Sequence, residues 1–282
     1  MLTKAMLSLS WCPSCRAAGL EFQSNAPAAD DLSEGKLVCP NCKIIFPVHD
    51  GVPDLIPHDQ MTSEDWKTWG GHLDGFSGRR AIREKKPNLA QLKRWNAKQQ
   101  AFLNFVDAPE GHLLDIGCGP AGIREGLDPA RTTYFGIDPI PTRAVEEFPF
   151  ARAVAEYIPF RDEAFSCLVA RSALDHFCDL RGFFKEAARV LRPDGVMFIE
   201  QAIHGEGGLK GAIKAAVHET KDFLDDLKAT RAHREAPKHM TDFTKEYLIE
   251  AVSEFFTVTA TREYSPSLLA ATQLFMALRR KN

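Results

Sequence analysis

Leu113-Leu114-Asp115-Ile116-Gly117-Cys118-Gly119-Pro120-Ala121-Gly122 is the stretch that decides the fold. The apolar run His112 to Ile116 breaks at glycines spaced G-x-G-x-x-G, the pattern of a strand that turns sharply and opens a helix. Glycine is needed where the chain reverses and a ligand must approach the backbone with no Cβ in the way. Pro120 suits the first helical turn, where a missing N–H costs nothing. Asp138 ends the next apolar run, Thr133 to Ile137, 21 residues after Gly117. A carboxylate there can accept hydrogen bonds from both hydroxyls of a ribose.

Working outward, short apolar runs alternate with helical segments, which is the signature of a parallel α/β sheet. A weak third strand is expected near Ala151 to Ala155, a fourth over Ser166 to Ala170 and a fifth over Val196 to Glu200 after the Asp194-Gly195 turn. A helix over Leu180 to Leu191 stops before Pro193. Phe256 to Thr261 and Thr272 to Leu278 have no helix-length gap between them, so they are read as an antiparallel hairpin at the sheet edge, making seven strands. A helix from Lys245 to Phe255, with Thr241 as its N-cap, precedes them. The expected architecture is an α/β, Rossmann-like, mostly parallel seven-stranded sheet with helices on both faces.

The chain has 282 residues, 44% hydrophobic and 26% charged, which suffices for a packed core. Its net charge of -3 gives no basic footprint over the whole chain for nucleic acid or a membrane surface. No apolar run of about 20 residues offers a transmembrane helix. Met1 to Trp11 does not read as a signal peptide. A cytoplasmic, reducing location is expected, and the odd count of seven cysteines argues against a disulfide framework there.

Four of those cysteines form Cys12-Pro-Ser-Cys15 and Cys39-Pro-Asn-Cys42, two CxxC knuckles separated by 23 residues. Each knuckle can bring both thiolates to one ion, and two knuckles complete the tetrahedron that zinc prefers, leaving no open position. The expected site is therefore structural Zn2+ held by Cys12, Cys15, Cys39 and Cys42. Residues 1–57 form a zinc ribbon in this reading, 58–108 a helical linker or cap, and 109–282 the α/β domain, with a helical insertion at about 205–240. Trp66, Trp69 and Phe76 in the linker are read chiefly as packing residues between domains. Cys118, Cys167 and Cys178 are read as small buried residues.

Cys39-Pro-Asn-Cys42 is followed by Phe46-Pro47-Val48 and by Asp50-Gly51-Val52-Pro53-Asp54-Leu55-Ile56-Pro57. This stretch resembles the small zinc-ribbon proteins that serve as activator subunits of tRNA and protein methyltransferases. Here it is fused to an enzyme-like domain, where it can also serve as a stabiliser or a substrate grip. Residues from about 110 to 280 resemble the class I, seven-stranded methyltransferases, closest in texture to the quinone and small-molecule type. Leu113 to Gly119 resembles their first motif and Tyr134 to Asp138 their second. Tyr157-Ile-Pro-Phe160 with Glu163 to Val169, and Ala188 to Gly195, resemble their later ones.

The resemblance implies S-adenosylmethionine as cofactor. A G-x-G-x-x-G turn alone would suit a nicotinamide dinucleotide equally. Asp115 tips the choice: a pyrophosphate has no use for an anion just before the turn, whereas S-adenosylmethionine carries an ammonium and a sulfonium. The candidate cofactor residues are Asp115, Gly117, Cys118, Gly119, Asp138, Pro139, Glu156, Tyr157 and Arg171. Where the family often has an acid for the adenine amino group this chain has Val154, which leaves Glu156 or backbone groups for that role.

His176 is the candidate general base and Asp175 its orienting partner, after the fourth strand where α/β sheets place ligands. A packed histidine at a helix N-terminus is the competing reading. A helix from Leu209 to about Ala236 is read as a lid over the substrate pocket or as a surface helix. The favoured function is methyl transfer to a small-molecule acceptor. An rRNA or tRNA base is the first alternative, gripped by the ribbon with Arg79, Arg80, Arg83, Lys85 and Lys86. A degenerate scaffold or activator of the same fold is the second. No membrane partner is expected.

Overall fold

The structure is a computed structural model that describes residues 1–24, 31–85, 89–107, 110–140, 147–204, 241–265 and 270–281. The N-terminal helix α1 (Lys4–Leu9) begins at Thr3, whose side chain accepts from the Met6 N–H at 3.1 Å. Four short strands follow: β1 (Glu21–Ser24), β2 (Gly35–Val38), β3 (Ile45–His49) and β4 (Val52–Pro53). They pair antiparallel in chain order. Period-two alternation buries Leu37, Phe46 and Val48 on one face and turns Ile45 out to solvent.

Helices α2 (Glu64–Lys85) and α3 (Leu89–Leu103) lead into the main sheet. Its elements are β5 (Gly111–Ile116), β6 (Thr132–Ile137), β7 (Phe150–Ala151), β8 (Phe165–Arg171), α4 (Leu180–Val190), β9 (Leu191–Ile203), α5 (Lys245–Ser253), β10 (Phe256–Tyr264) and β11 (Thr272–Arg280). Seven strands lie in the order β10-β11-β9-β8-β5-β6-β7. β5 to β9 pair parallel, while β11 runs antiparallel to both β9 and β10, the hairpin edge expected from the sequence.

Alternation along each strand sorts side chains to two faces. Leu114, Ile116, Phe135, Leu168, Met197 and Met276 pack with Phe183, Phe184 and Val190 of α4 and with Leu248 and Val252 of α5. Leu113, Tyr134, Val169, Phe198 and Phe275 pack on the other face with Phe102 of α3. Both faces are therefore covered by helices, as parallel sheets require.

Three local expectations are corrected. The glycine-rich turn opens no α-helix, only a 3-10 turn over Gly122–Gly126. Just eight residues separate Pro120 from Pro129, with glycines at 122 and 126, too short and too flexible to repay helix nucleation. The third strand is Phe150–Ala151, shorter and earlier than Ala151–Ala155, because Ala155–Tyr157 coil into a 3-10 turn. The cap of α5 is Thr244, whose hydroxyl accepts from the Tyr247 N–H at 3.1 Å, not Thr241 three residues upstream.

The N-terminal ribbon sits on the β7 edge of the main sheet. Leu55 N–H donates to Arg152 O at 2.8 Å and Arg152 N–H to Pro53 O at 3.0 Å, a parallel bridge centred on Asp54 and Arg152. The same two side chains form an ion pair at 2.5 Å. On the other side Trp11 N–H donates to Pro159 O and Arg161 N–H to Leu9 O. Leu9, Leu20, Phe46 and Leu55 share one buried cluster with Ile158, Phe160 and Phe165.

Candidate active site

The turn after β5 is latched to the end of β6. Gly117 and Cys118 both donate their N–H to Ile137 O, at 2.9 and 3.1 Å. Gly117 has a φ of 68°, and a Cβ there would lie 2.7 Å from that of Ala173, so neither the conformation nor the space admits a side chain. Ala173 belongs to the loop after β8, so this contact joins the turn to the segment that carries Asp175 and His176. Cys118 and Cys167 are buried, as expected, and Cys178 is half-buried.

Asp138 is 7% exposed, and its oxygens accept the N–H of Gly119 at 2.9 Å and of Ile140 at 2.8 Å. Each carboxylate oxygen can accept more than one bond, so these contacts fix the group's direction while retaining capacity for hydroxyl donors. Pro139 follows, its carbonyl accepting from Arg152 Nε at 3.2 Å. Asp115 lies buried under the turn and accepts a 2.6 Å bond from Tyr134 Oη. Burial pushes its carboxyl up to about 6, against the opposing pull of the Tyr134 hydroxyl and the Arg171 guanidinium.

Glu156, the sequence candidate for the adenine contact, holds backbone in this structure. Its Oε1 accepts the backbone N–H of Cys178 at 2.7 Å and of Asp179 at 3.1 Å, tying the 3-10 turn Ala155–Tyr157 to the start of α4. Burial raises its carboxyl to about 7. Tyr157 packs beside Trp66, with ring centroids 6.1 Å apart. Arg171 closes on the fully buried Glu200, Nε to Oε2 at 2.8 Å, and Lys98 reaches the other oxygen at 2.6 Å. Lys98 also donates to Ser172 Oγ at 2.8 Å and so fastens α3 to the ends of β8 and β9.

His176 has a partner that the sequence did not announce. His72 of α2 is 1% exposed, and its Nε2 lies 3.0 Å from His176 Nδ1. Trp69 donates its Nε1–H to His176 O at 2.9 Å. Asp175 stands 4.0 Å from the far nitrogen, His176 Nε2. A readable signal existed: Trp66, Trp69 and His72 recur at intervals of three, which places them on one helix face. The side chains of Phe76, Arg79, Arg80, Arg83, Lys85 and Lys86, and the whole 205–240 insertion, lie outside the described residues.

The four ribbon cysteines come together with all their sulfurs within 4.8 Å. Cys12 and Cys42 sulfurs are 3.7 Å apart and those of Cys15 and Cys39 3.5 Å. Zinc–thiolate bonds of about 2.3 Å set tetrahedral edges of about 3.8 Å, so the donor set fits that ion. These separations are far too long for disulfides, and all seven cysteines are free thiols.

A glycine turn latched to β6, with carboxylates at the ends of β5 and β6 in a sheet closed by an antiparallel hairpin, defines the class I methyltransferase fold; the four-cysteine ribbon stands before it. Known proteins agree. Residues 114–199 match the family model for a methyltransferase domain, and residues 7–51 match that for Trm112p-like proteins. The chain is 32% identical over 97 residues to the uncharacterized methyltransferase YcgJ of Bacillus subtilis, a match covering 30% of this chain and 38% of that protein. It is 25% identical over 140 residues to a ubiquinone biosynthesis O-methyltransferase of a Methylobacterium species, covering 43% of this chain and 56% of that one. The chain thus spans only part of the length of these relatives. A complex between the Haloferax volcanii Trm112 methyltransferase activator and a methyltransferase contains a chain of the same fold, at a TM-score of 0.53 and 14% identity, covering 75% of this chain and 97% of that one.

Proposed function

We propose that this chain is an S-adenosylmethionine-dependent methyltransferase acting on a small-molecule acceptor, with structural zinc in its ribbon. The observation that carries this reading is the Gly117–Gly119 turn with Asp115 beneath it and Asp138 beside it. When bound, the cofactor supplies an electrophilic methyl group on its sulfonium. Asp138 would receive the ribose hydroxyls, with Pro139 and Cys118 forming the adjoining walls. Asp115, ionised for the most part at neutral pH, puts negative potential under the turn that a bound ammonium and sulfonium would meet. Positioning the acceptor in line with the methyl supplies much of the rate.

His176 is the group to take the acceptor's proton, with Asp175 on one side of its ring and His72 on the other. For His176 Nε2 to take that proton, its Nδ1 must carry the ring hydrogen and donate to His72 Nε2, which the 3.0 Å separation allows. The likeness to quinone O-methyltransferases supports a small organic acceptor. In this reading residues 1–57 are the ribbon, 58–108 a helical cap and 109–282 the catalytic domain, with the insertion at 205–240. The seven free thiols suit a reducing cytoplasm, and no helix among the described residues is long and apolar enough to cross a membrane.

Asp138→Ala is expected to lose at least tenfold in affinity for S-adenosylhomocysteine by calorimetry while retaining its circular dichroism spectrum. Unchanged affinity would remove Asp138 from the site. Radioactive methyl is expected to pass from S-adenosylmethionine into the small-molecule fraction of a cell extract. Label in RNA, with binding that falls steeply with salt, would favour the RNA acceptor instead.

A further inference from the structure

The site residues above leave the side chain of Gln201 unused. Gln201 of β9 is 1% exposed, and its side-chain Oε1 has no hydrogen-bond partner among the described residues. It lies on the same face of β9 as Ile199 and Ile203, within the apolar layer under α4 and α5. A buried side-chain oxygen without a donor destabilises a fold, and such a group calls for an explanation. Gln201 lines a pocket at the C-terminal end of the sheet together with Asp175, His204, Thr241, Asp242 and Phe243. Asp175 places that pocket next to His176, and Ala173 on the same loop touches the position of Gly117. The loop after β8 thus lines the pocket with Asp175 and meets the glycine turn with Ala173.

The charges around it point one way. Asp175 and Asp242 are the carboxylates of the described lining, which includes neither lysine nor arginine. The nearby cations, Lys98 and Arg171, turn to Glu200, and Glu200 projects from the opposite face of β9 to Gln201. A carboxylate or phosphate placed in the pocket would face two anions and an amide oxygen. A hydroxyl or amine would find acceptors.

We propose that this pocket is the methyl-acceptor subsite and takes a non-anionic small molecule through a hydroxyl or amine, held by Gln201 and Asp175. This rests on the methyltransferase reading. It makes Gln201 a binding residue kept at a cost in stability.

The test uses the full chain loaded with S-adenosylhomocysteine and two probes that share a catechol ring, dopamine and 3,4-dihydroxybenzoate. Binding is read by calorimetry at pH 7 and fixed salt. Dopamine is expected to bind at least tenfold more tightly. Gln201→Met is expected to weaken dopamine at least tenfold without lowering the unfolding midpoint, since it removes an unsatisfied amide oxygen and keeps the volume. Asp175→Asn is expected to erase the preference between the probes. Equal or tighter binding of dihydroxybenzoate, no binding of dopamine, or a Gln201→Met variant that binds dopamine normally or melts lower would each overturn the proposal. Failure of the wild-type chain to bind S-adenosylhomocysteine at all would instead overturn the methyltransferase reading beneath it.

Discussion

Glu156 illustrates how little a residue's type says about its use. A loop acid before the fourth strand reads as a ligand contact, and in the structure one of its oxygens holds two backbone N–H groups at the head of α4. The cost is visible in its proton affinity. Burial holds the folded carboxyl near 7, above its ordinary value of 4.5, so the folded state binds the proton more tightly than the unfolded one. Stability from this group therefore falls as pH rises between those values and levels off above them. Glu156→Gln keeps an acceptor for the N–H groups and cannot ionise. It is expected to gain on the wild type by up to about 3 kcal/mol between pH 4.5 and 8, a comparison that urea melts at both pH values will make. A constant difference across that range would mean that Glu156 is not buried in this way. His72 makes the complementary point. Its place on a helix face was readable, but its contact with His176 spans 104 residues and belongs to the tertiary structure.

Among the elements, the ribbon sheet and β7 depend on each other. β7 has only two residues, and one side of it would be an open sheet edge, a hazard that proteins cover. The covering segment is β4 and its continuation to Leu55, joined at Arg152. That segment pairs with β3, which follows the knuckle of Cys39 and Cys42, so zinc held there would brace it, at about 10–16 kcal/mol in small zinc domains. Metal analysis of the native protein is expected to find one zinc per chain. Stripping it with a chelator is expected to raise hydrogen exchange at the Leu55 and Arg152 amides as well as within the ribbon. Loss confined to residues 1–49 would show that β4 holds without metal. The missing helix after the glycine turn is another result at this scale: the turn motif was legible, while the element after it was decided by flanking prolines and glycines.

For the molecule as a whole, the apolar interior does not divide between ribbon and sheet. Met6, Leu9, Leu20, Phe46 and Leu55 are in one cluster with Ile158, Phe160, Phe165 and the α4 face. Arg16 adds an ion pair to the buried Glu186 of α4 at 2.5 Å. Removing residues 1–57 is therefore expected to expose Phe160 and the β7 edge, giving a fragment that elutes as aggregate on size exclusion while the intact chain does not. A monomeric, cooperatively melting 58–282 fragment would show that the ribbon is an accessory. Fusion of the two parts in one chain makes the ribbon a constant structural neighbour of the cofactor sheet rather than a partner that comes and goes.

The sequence by itself determined the local chemistry: the glycine turn and Asp138, the paired cysteine knuckles, and the alternation that orders the strands and closes the sheet with a hairpin. These are short-range patterns, fixed by backbone geometry and by the spacing of side chains within a few residues. Only the tertiary structure decided what lies across the chain from what: His72 against His176, Lys98 and Arg171 on Glu200, β4 on β7, and Gln201 left without a partner beside a pocket. Those pairings join segments from 29 to 104 residues apart. No periodicity records them, because they follow from how helices and sheet close on one another once their apolar faces are buried.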